Sequence, residues 1–132
     1  MKTLWFECKY WGSGDFVPVF FTLVLHPSRR SLLREYNKTS SRLKVDLSIK
    51  PFRGFLRTYV WKEWEDACYR CHLDMSSDPA ACLWHELAHV VLDYRKVFGP
   101  ELSLEKEEHI CCMQAHLGTQ AVEKAFPEYR KL

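Results

Sequence analysis

Residues 83–91 read LWHELAHVV, and this stretch decides how the second half of the chain folds. Apart from two histidines and one glutamate its residues are apolar, which predicts a helix that is apolar nearly all round and therefore buried. Ser77-Asp78-Pro79 supplies a capping side chain followed by proline in the first turn, and Gly99-Pro100 is a stop signal. The sequence therefore predicts a helix from about residue 79 to about residue 98.

A second helix is expected after this one. Ser103 can cap it, and several glutamates in its first turns suit the positive end of a helix. The helix is predicted to reach about Leu117, to bend or break at Gly118 and to end before Pro127.

The chain before residue 75 has the pattern of strands instead. Four short runs are rich in β-branched and aromatic residues, and these runs are 3–11, 17–25, 43–49 and 55–64. The basic stretch 27–40 fits a short helix or a turn. The prediction is an α+β fold, with a small, mainly antiparallel N-terminal sheet in a β-rich part, 1–75, followed by two helices in a helical part, 76–132.

Length and composition indicate one domain over residues 1–132, because 132 residues with 47% hydrophobic and 27% charged side chains can bury a single core. The net charge of +2 is too small to argue for nucleic acid. The start, MKTLWFECKYW, lacks the sustained apolar region of a signal peptide, and the longest apolar run, 16–25, is too short to span a bilayer. We therefore expect a soluble cytoplasmic protein without a membrane partner and with six cysteines as thiols.

His85, Glu86 and His89 form the motif HELAH. Residues four apart lie on one face of a helix, so both imidazoles can each give one nitrogen to a tetrahedral zinc ion at about 2.0–2.1 Å. Glu86 can then reach a water in the open zinc position and take its proton. Catalytic zinc needs a third protein ligand from elsewhere. The structural alternative is a core helix whose polar groups bond to backbone or water.

HELAH in an apolar helix, behind a small sheet and before a second helix with glutamates, resembles the zincin metallopeptidases, over about residues 77–117. The glutamates favour the gluzincin branch, in which the third ligand is a glutamate of a following helix, and the compact size resembles minimal ImmA/IrrE-type peptidase cores. The resemblance implies a zincin-like fold, bound Zn²⁺, and hydrolysis of peptide bonds in a protein or peptide substrate by a metal-activated water. Glu86 would act as general base and then general acid. The substrate would pair with an edge strand, here 55–64.

The third zinc ligand is sought on the second helix. One face of that helix is predicted to carry Leu104, Glu108, Cys111, Cys112 and Ala115. Glu108 is its one charged residue and is the predicted third ligand, because a buried carboxylate needs a partner. Glu107, His109 and His116 remain alternatives, and a histidine ligand shifts the resemblance toward SprT-type proteases that act on DNA-bound proteins. Asp93, four residues after His89, can accept the far N–H of a ligand histidine.

Residues 68–72, CYRCH, match the short haem-attachment pattern, but covalent haem is attached in export compartments and no export signal is found. Cys68, Cys71 and His72 can alternatively bind a second, structural zinc ion. The simpler interpretation is two buried or half-buried thiols ahead of the helix.

A basic bias between residues 29 and 44, with aromatic residues interleaved along the strands, can bind single-stranded nucleic acid by stacking and phosphate contact. Core aromatics beside a solvated basic face are the favoured interpretation. A non-catalytic zincin-fold binding protein of a phage or mobile element is the second hypothesis for the whole chain.

Overall fold

A computed structural model describes residues 2–12, 18–39, 54–61, 66–98 and 104–128. These residues form four strands and three helices. In chain order they are β1 (Leu4–Tyr10), β2 (Val19–His26), α1 (Arg29–Thr39), β3 (Gly54–Trp61), β4 (Asp66–Asp74), α2 (Pro79–Phe98) and α3 (Leu104–Ala125).

The four strands form one mixed sheet in the order β1-β2-β4-β3. β1 runs antiparallel to β2, and β3 runs antiparallel to β4, whereas β2 and β4 are parallel. The predicted α+β class with a mainly antiparallel N-terminal sheet is therefore confirmed. The segment predicted as an edge strand, 55–64, overlaps β3, which lies at one edge of this sheet.

The sequence prediction missed β4. Its residues Tyr69, Cys71 and Leu73 are buried in the core and alternate with polar residues, which is the two-residue period of a strand. The two predicted C-terminal helices are present as α2 and α3, and the basic stretch after β2, predicted as a short helix or a turn, forms the helix α1. Of the predicted bend or break at Gly118, the break is wrong, since α3 continues through this residue to Ala125. The predicted strand 43–49 lies outside the described residues.

The sheet has two different faces. We call the face packed against α2 and α3 the inner face; it carries the core side chains of β1, β2 and β4, for example Cys8, Phe21 and Cys71. The opposite side is the outer face, and α1 packs on it at the end where β2 and β4 finish. No helix among the described residues is long and apolar enough to cross a membrane.

A buried polar cluster joins α1 to the outer face. His26 Nδ1 lies 2.9 Å from Ser31 Oγ of α1, and His26 Nε2 lies 2.9 Å from Nδ1 of His72 on β4. Both histidines are almost fully buried, and their rings stack with centroids 5.2 Å apart. The cluster fixes the position of α1 by hydrogen bonds rather than by apolar contact alone.

The His26 ring should make stability fall in acid. Burial lowers the pKa of His26, although Glu35 and Asp74 partly oppose that shift. The unfolded chain therefore binds more protons than the folded chain below about pH 6.5, so the stabilisation is complete above that pH and is lost as pH falls through it. We expect the urea midpoint, measured with a chelator present, to be lower at about pH 5.5 than at about pH 7.5.

One variant tests this assignment. His26→Asn should reduce the pH dependence of the midpoint. Burial lowers the pKa of His109, which adds a dependence of the same sign, whereas burial raises the pKa of Glu86, which adds one of the opposite sign. A pH dependence of the midpoint that is equal in His26→Asn and in the wild type would contradict the assignment.

Candidate metal centre

The two histidines of HELAH lie side by side on α2. Their Nε2 atoms are 3.2 Å apart, and their ring centroids are separated by 4.9 Å. Two nitrogens bound tetrahedrally to one zinc ion at 2.0–2.1 Å are themselves about 3.3 Å apart. Both side chains are exposed, so the pair is open to an ion and to a substrate. The position of His85 and His89 therefore fits two ligands of one zinc ion.

Helix α2 is buried on one side only, so the expectation of a helix buried all round is wrong. Leu83, Leu87, Val90 and Tyr94 are fully or almost fully buried, whereas Trp84 is 50% exposed and Leu92 is 60% exposed. The histidines belong to the exposed side, where hydration satisfies their polar atoms. Burial therefore gives no argument that a metal must be present.

Trp84 marks the side of α2 that faces α3. A Cβ atom added to Gly118 of α3 would lie 3.1 Å from the ring of Trp84. At 100° per residue, His85 lies about 100° and His89 about 140° further round the helix than Trp84. The histidine pair therefore points away from α3.

Cys82 marks the side of α2 that faces the edge strand. Its Sγ atom is in close contact with the position of a Cβ at Gly54, the first residue of β3. His89 lies within about 20° of the direction of Cys82, and His85 within about 60°. The pair is therefore displayed on the β3 side of the molecule. No pattern within a short stretch of the sequence predicts this contact, because it joins residues 28 positions apart.

Glu86 lies next to the histidine pair but on the core side of α2. Its side chain is only 6% exposed, and burial raises the pKa of its carboxyl group, while His85 and His89 act in the opposite direction. A carboxylate whose pKa is raised is a stronger base than one with an ordinary pKa. The arrangement places one carboxyl group beside two exposed imidazole rings.

None of the candidate third ligands on α3 lies with the pair. The prediction that Glu108 belongs to the buried face is wrong, since Glu108, Cys111, Cys112 and Ala115 are all exposed. The core is instead formed by Ile110, Met113 and Leu117, whose larger apolar side chains bury more area than cysteine and alanine. Within the described ranges, no group of three or more His, Cys, Asp or Glu side chains is placed to hold a metal ion.

The alternative ligands have other surroundings. Glu107 is exposed. His109 is 7% exposed, and its Nε2 lies 3.3 Å from the hydroxyl of Tyr94, so it is a core histidine of the α2–α3 contact. His116 is exposed and stacks on Tyr10 of β1, with ring centroids 5.4 Å apart. His109 therefore contacts α2, and His116 contacts β1.

Asp93 takes part in a different contact from the one predicted. The hydroxyl of Tyr69 on β4 donates a 2.7 Å hydrogen bond to Oδ2 of Asp93. Tyr69 is 2% exposed, and burial followed by this hydrogen bond raises its pKa well above the usual range. Asp93 therefore links α2 to the inner face of the sheet by a hydrogen bond.

The proposed second metal site of Cys68, Cys71 and His72 is incompatible with a strand. Successive side chains of β4 alternate between faces, so Cys71 points into the core while Cys68 and His72 point to the outer face. None of the six cysteines forms a disulfide bond. His72 instead completes the buried pair with His26.

No protein-family model, curated protein or solved structure matches this chain. The resemblance to zincins therefore depends on the chain's own residues, and chiefly on HELAH.

A groove of about 540 Å³ lies between α2 and α3, but on the other side of α2 from the histidine pair. Trp84, Cys111, Gly118 and Val122 contribute to its walls. It contains none of the proposed zinc ligands, so we do not assign it to the metal centre.

Proposed function

We propose that this chain is a zinc-dependent metallopeptidase that hydrolyses peptide bonds in a protein or peptide substrate. The observation that carries the proposal is the 3.2 Å separation of the Nε2 atoms of His85 and His89, which suits two ligands of one zinc ion. A bound zinc ion supplies Lewis-acid chemistry, which activates a water and polarises the scissile carbonyl. His85 and His89 would hold the ion.

Glu86 has the role of proton carrier in this proposal. It is adjacent to the ligand pair and only 6% exposed, and burial raises the pKa of its carboxyl group, so its carboxylate is a stronger base for the proton of the attacking water. The same group can afterwards donate that proton to the leaving amine.

The edge strand β3 gives the substrate a place to bind. β3 is paired with β4 on one side and is the last strand of the described sheet on the other. An extended peptide can add to such an edge by backbone hydrogen bonds. Because His85 and His89 point toward the β3 side of α2, a peptide at this edge would pass close to them.

The proposal requires a third ligand for a catalytic zinc ion, and the described part of α3 does not provide it. This favours a second candidate, a zincin-like binding protein whose histidine pair takes up a metal without turnover. The two candidates differ in one measurement, cleavage of a peptide library by the zinc-loaded wild-type protein. Cleavage that disappears on chelation supports the peptidase, and uptake of zinc without cleavage supports the binding protein.

We expect the purified wild type to bind one equivalent of zinc per chain, and His85→Ala and His89→Ala each to lose it, because one remaining imidazole holds the ion too weakly. Elemental analysis after dialysis measures this directly. Glu108→Ala should retain the zinc of the wild type, since Glu108 is exposed on a helix that the pair faces away from.

The same three proteins provide the control. Circular dichroism should be unchanged in all of them, because the substituted side chains are exposed. Loss of zinc in Glu108→Ala with retained fold would instead restore Glu108 as the third ligand. A wild-type protein that takes up no zinc would remove the metallopeptidase proposal.

A further inference from the structure

We propose that the outer face of the sheet and the exposed side of α1 bind single-stranded nucleic acid. This surface consists of Trp5, Lys9, Trp11, Phe20 and Arg70 on the sheet side and of the cations of α1. The proposal is independent of the metal centre, which lies on α2 behind the opposite face of the sheet. It combines rings on which bases can stack with cations that can contact phosphates.

The rings of the outer face are exposed to an unusual degree. Trp5 is 52% exposed and Trp11 is 66% exposed. The Trp11 ring meets the ring of Phe20 edge to face, with centroids 5.7 Å apart. Large aromatic side chains normally bury most of their area, so two half-exposed tryptophans on one face indicate a binding surface.

The rings form two separate stacking positions. Trp5 pairs with Val24 in the register of β1 and β2, and Lys9, two rows beyond, pairs with Phe20. The two rows are four residues apart along the strand, so the distance between them is about 13 Å. Two bases of one strand can therefore stack at different places on the sheet.

Cations lie between and beside these positions. The guanidinium carbon of Arg70 is 5.0 Å from the centre of the Trp5 ring, and Arg70 pairs with Thr22, in the row between Val24 and Phe20. Lys9 lies on the same face as Phe20 and is 45% exposed in its side chain. Glu7, which contacts Lys9 at 3.9 Å, is the acidic residue among these rows. The sheet side is therefore aromatic with interspersed positive charge.

Helix α1 adds a row of positive charge that its own stability does not explain. Arg30, Arg34 and Lys38 are exposed and spaced four residues apart, which places like charges next to one another. Arg29 and Arg30 begin the helix, whose first turn has no acidic residue, although its positive end favours anions. Both features destabilise the helix, and a bound polyanion would offset both.

The balance of charge favours a polyanion. Among the side chains that the structure describes on the outer face and on α1, six are cations, and they accompany three carboxylates, namely Glu7, Glu35 and Asp74. Asp74 is buried and accepts a hydrogen bond from the backbone N–H of Ser76, so it is not displayed. Acidic proteins are also negatively charged and could bind the cations. The stacking positions, however, suit the faces of nucleic-acid bases, which are accessible in single strands and not in duplexes.

The experiment is fluorescence anisotropy of the full chain with labelled single-stranded DNA and RNA of about 15 nucleotides. We expect binding that weakens steeply between about 50 and 200 mM salt. Trp5→Ala and Trp11→Ala should each weaken binding by about 5- to 150-fold, the usual effect of removing one stacking ring. The triple variant Arg30→Ala, Arg34→Ala, Lys38→Ala should lower the slope of log K against log salt by about 2, because three phosphate contacts are lost.

Matched controls lie on α2. Trp84→Ala removes a ring that is 50% exposed, and the double variant Arg95→Ala, Lys96→Ala removes two exposed cations. Both should leave the affinity unchanged, and circular dichroism shows whether each protein is folded. The proposal is overturned if the wild type does not bind at about 50 mM salt, if the controls lose as much affinity as the outer-face variants, or if duplex DNA or poly-glutamate competes as well as a single strand.

Discussion

Glu86→Gln is expected to keep the bound zinc and to lose turnover by about 10²–10⁴-fold, the usual contribution of a general base. Glutamine has the shape of the carboxylate but cannot accept a proton from the attacking water. Its neutral side chain suits the buried position of Glu86, so stability should not decrease. The measurements are elemental analysis for zinc and the cleavage rate of a substrate found in the peptide library.

Glu108→Gln is the matched control for this variant. It makes the same chemical change at an exposed carboxylate on α3 and should retain full activity. Full activity in Glu86→Gln with zinc still bound would remove Glu86 from the mechanism. Loss of zinc in Glu86→Gln would mean that Glu86 is itself a ligand, which would contradict its role as proton carrier.

Gly54→Ala should lower the free energy of unfolding by about 3 kcal/mol, at the upper end of the usual range for overpacking. A Cβ at Gly54 would meet Sγ of Cys82 and would lie 2.7 Å from the carbonyl oxygen of His72. The sulfur can rotate away, but the carbonyl oxygen belongs to the backbone of β4 and can move only with the strand. Urea denaturation followed by circular dichroism measures the loss.

Gly118→Ala is the corresponding control in α3. Its Cβ would lie 3.1–3.3 Å from side-chain atoms of Trp84 and Leu87, and the half-exposed Trp84 ring can shift outward. Alanine also favours a helix over glycine by about 1 kcal/mol, which offsets the contact. We expect a change within about 1 kcal/mol. A Gly54→Ala protein as stable as Gly118→Ala would show that β3 and α2 are not in tight contact.

The helices and three of the described strands could be predicted because their signals are local. Pro79 and Gly99-Pro100 delimit α2, and the apolar run that ends at Leu25 matches β2. β4 was missed because its cysteines and histidine suggested metal ligands, although Tyr69, Cys71 and Leu73 already show the period of a strand. The predicted break at Gly118 does not occur for a different reason. Packing against α2 outweighs the low helix propensity of glycine.

In the candidate site, too, some features could be predicted from local sequence and others depend on packing. The spacing of His85 and His89 is a property of one helix, so the sequence by itself determined that the two rings lie together. The choice of the buried face of α3 is a property of the packing, and two faces of that helix carry apolar residues. Sequence periodicity predicted that the face with Glu108 is buried. In the structure, the buried face is the one with Ile110, Met113 and Leu117.

Local spacing along the chain thus determined the HELAH pair, the limits of α2 and the α+β class, because each depends on backbone geometry within a few residues. Only the tertiary structure decided that the pair faces the β3 side rather than α3, that Asp93 binds Tyr69, and that Trp5 and Arg70 share an outer face with α1. These relations join residues far apart in sequence, and they follow from which apolar faces bury the most area against one another.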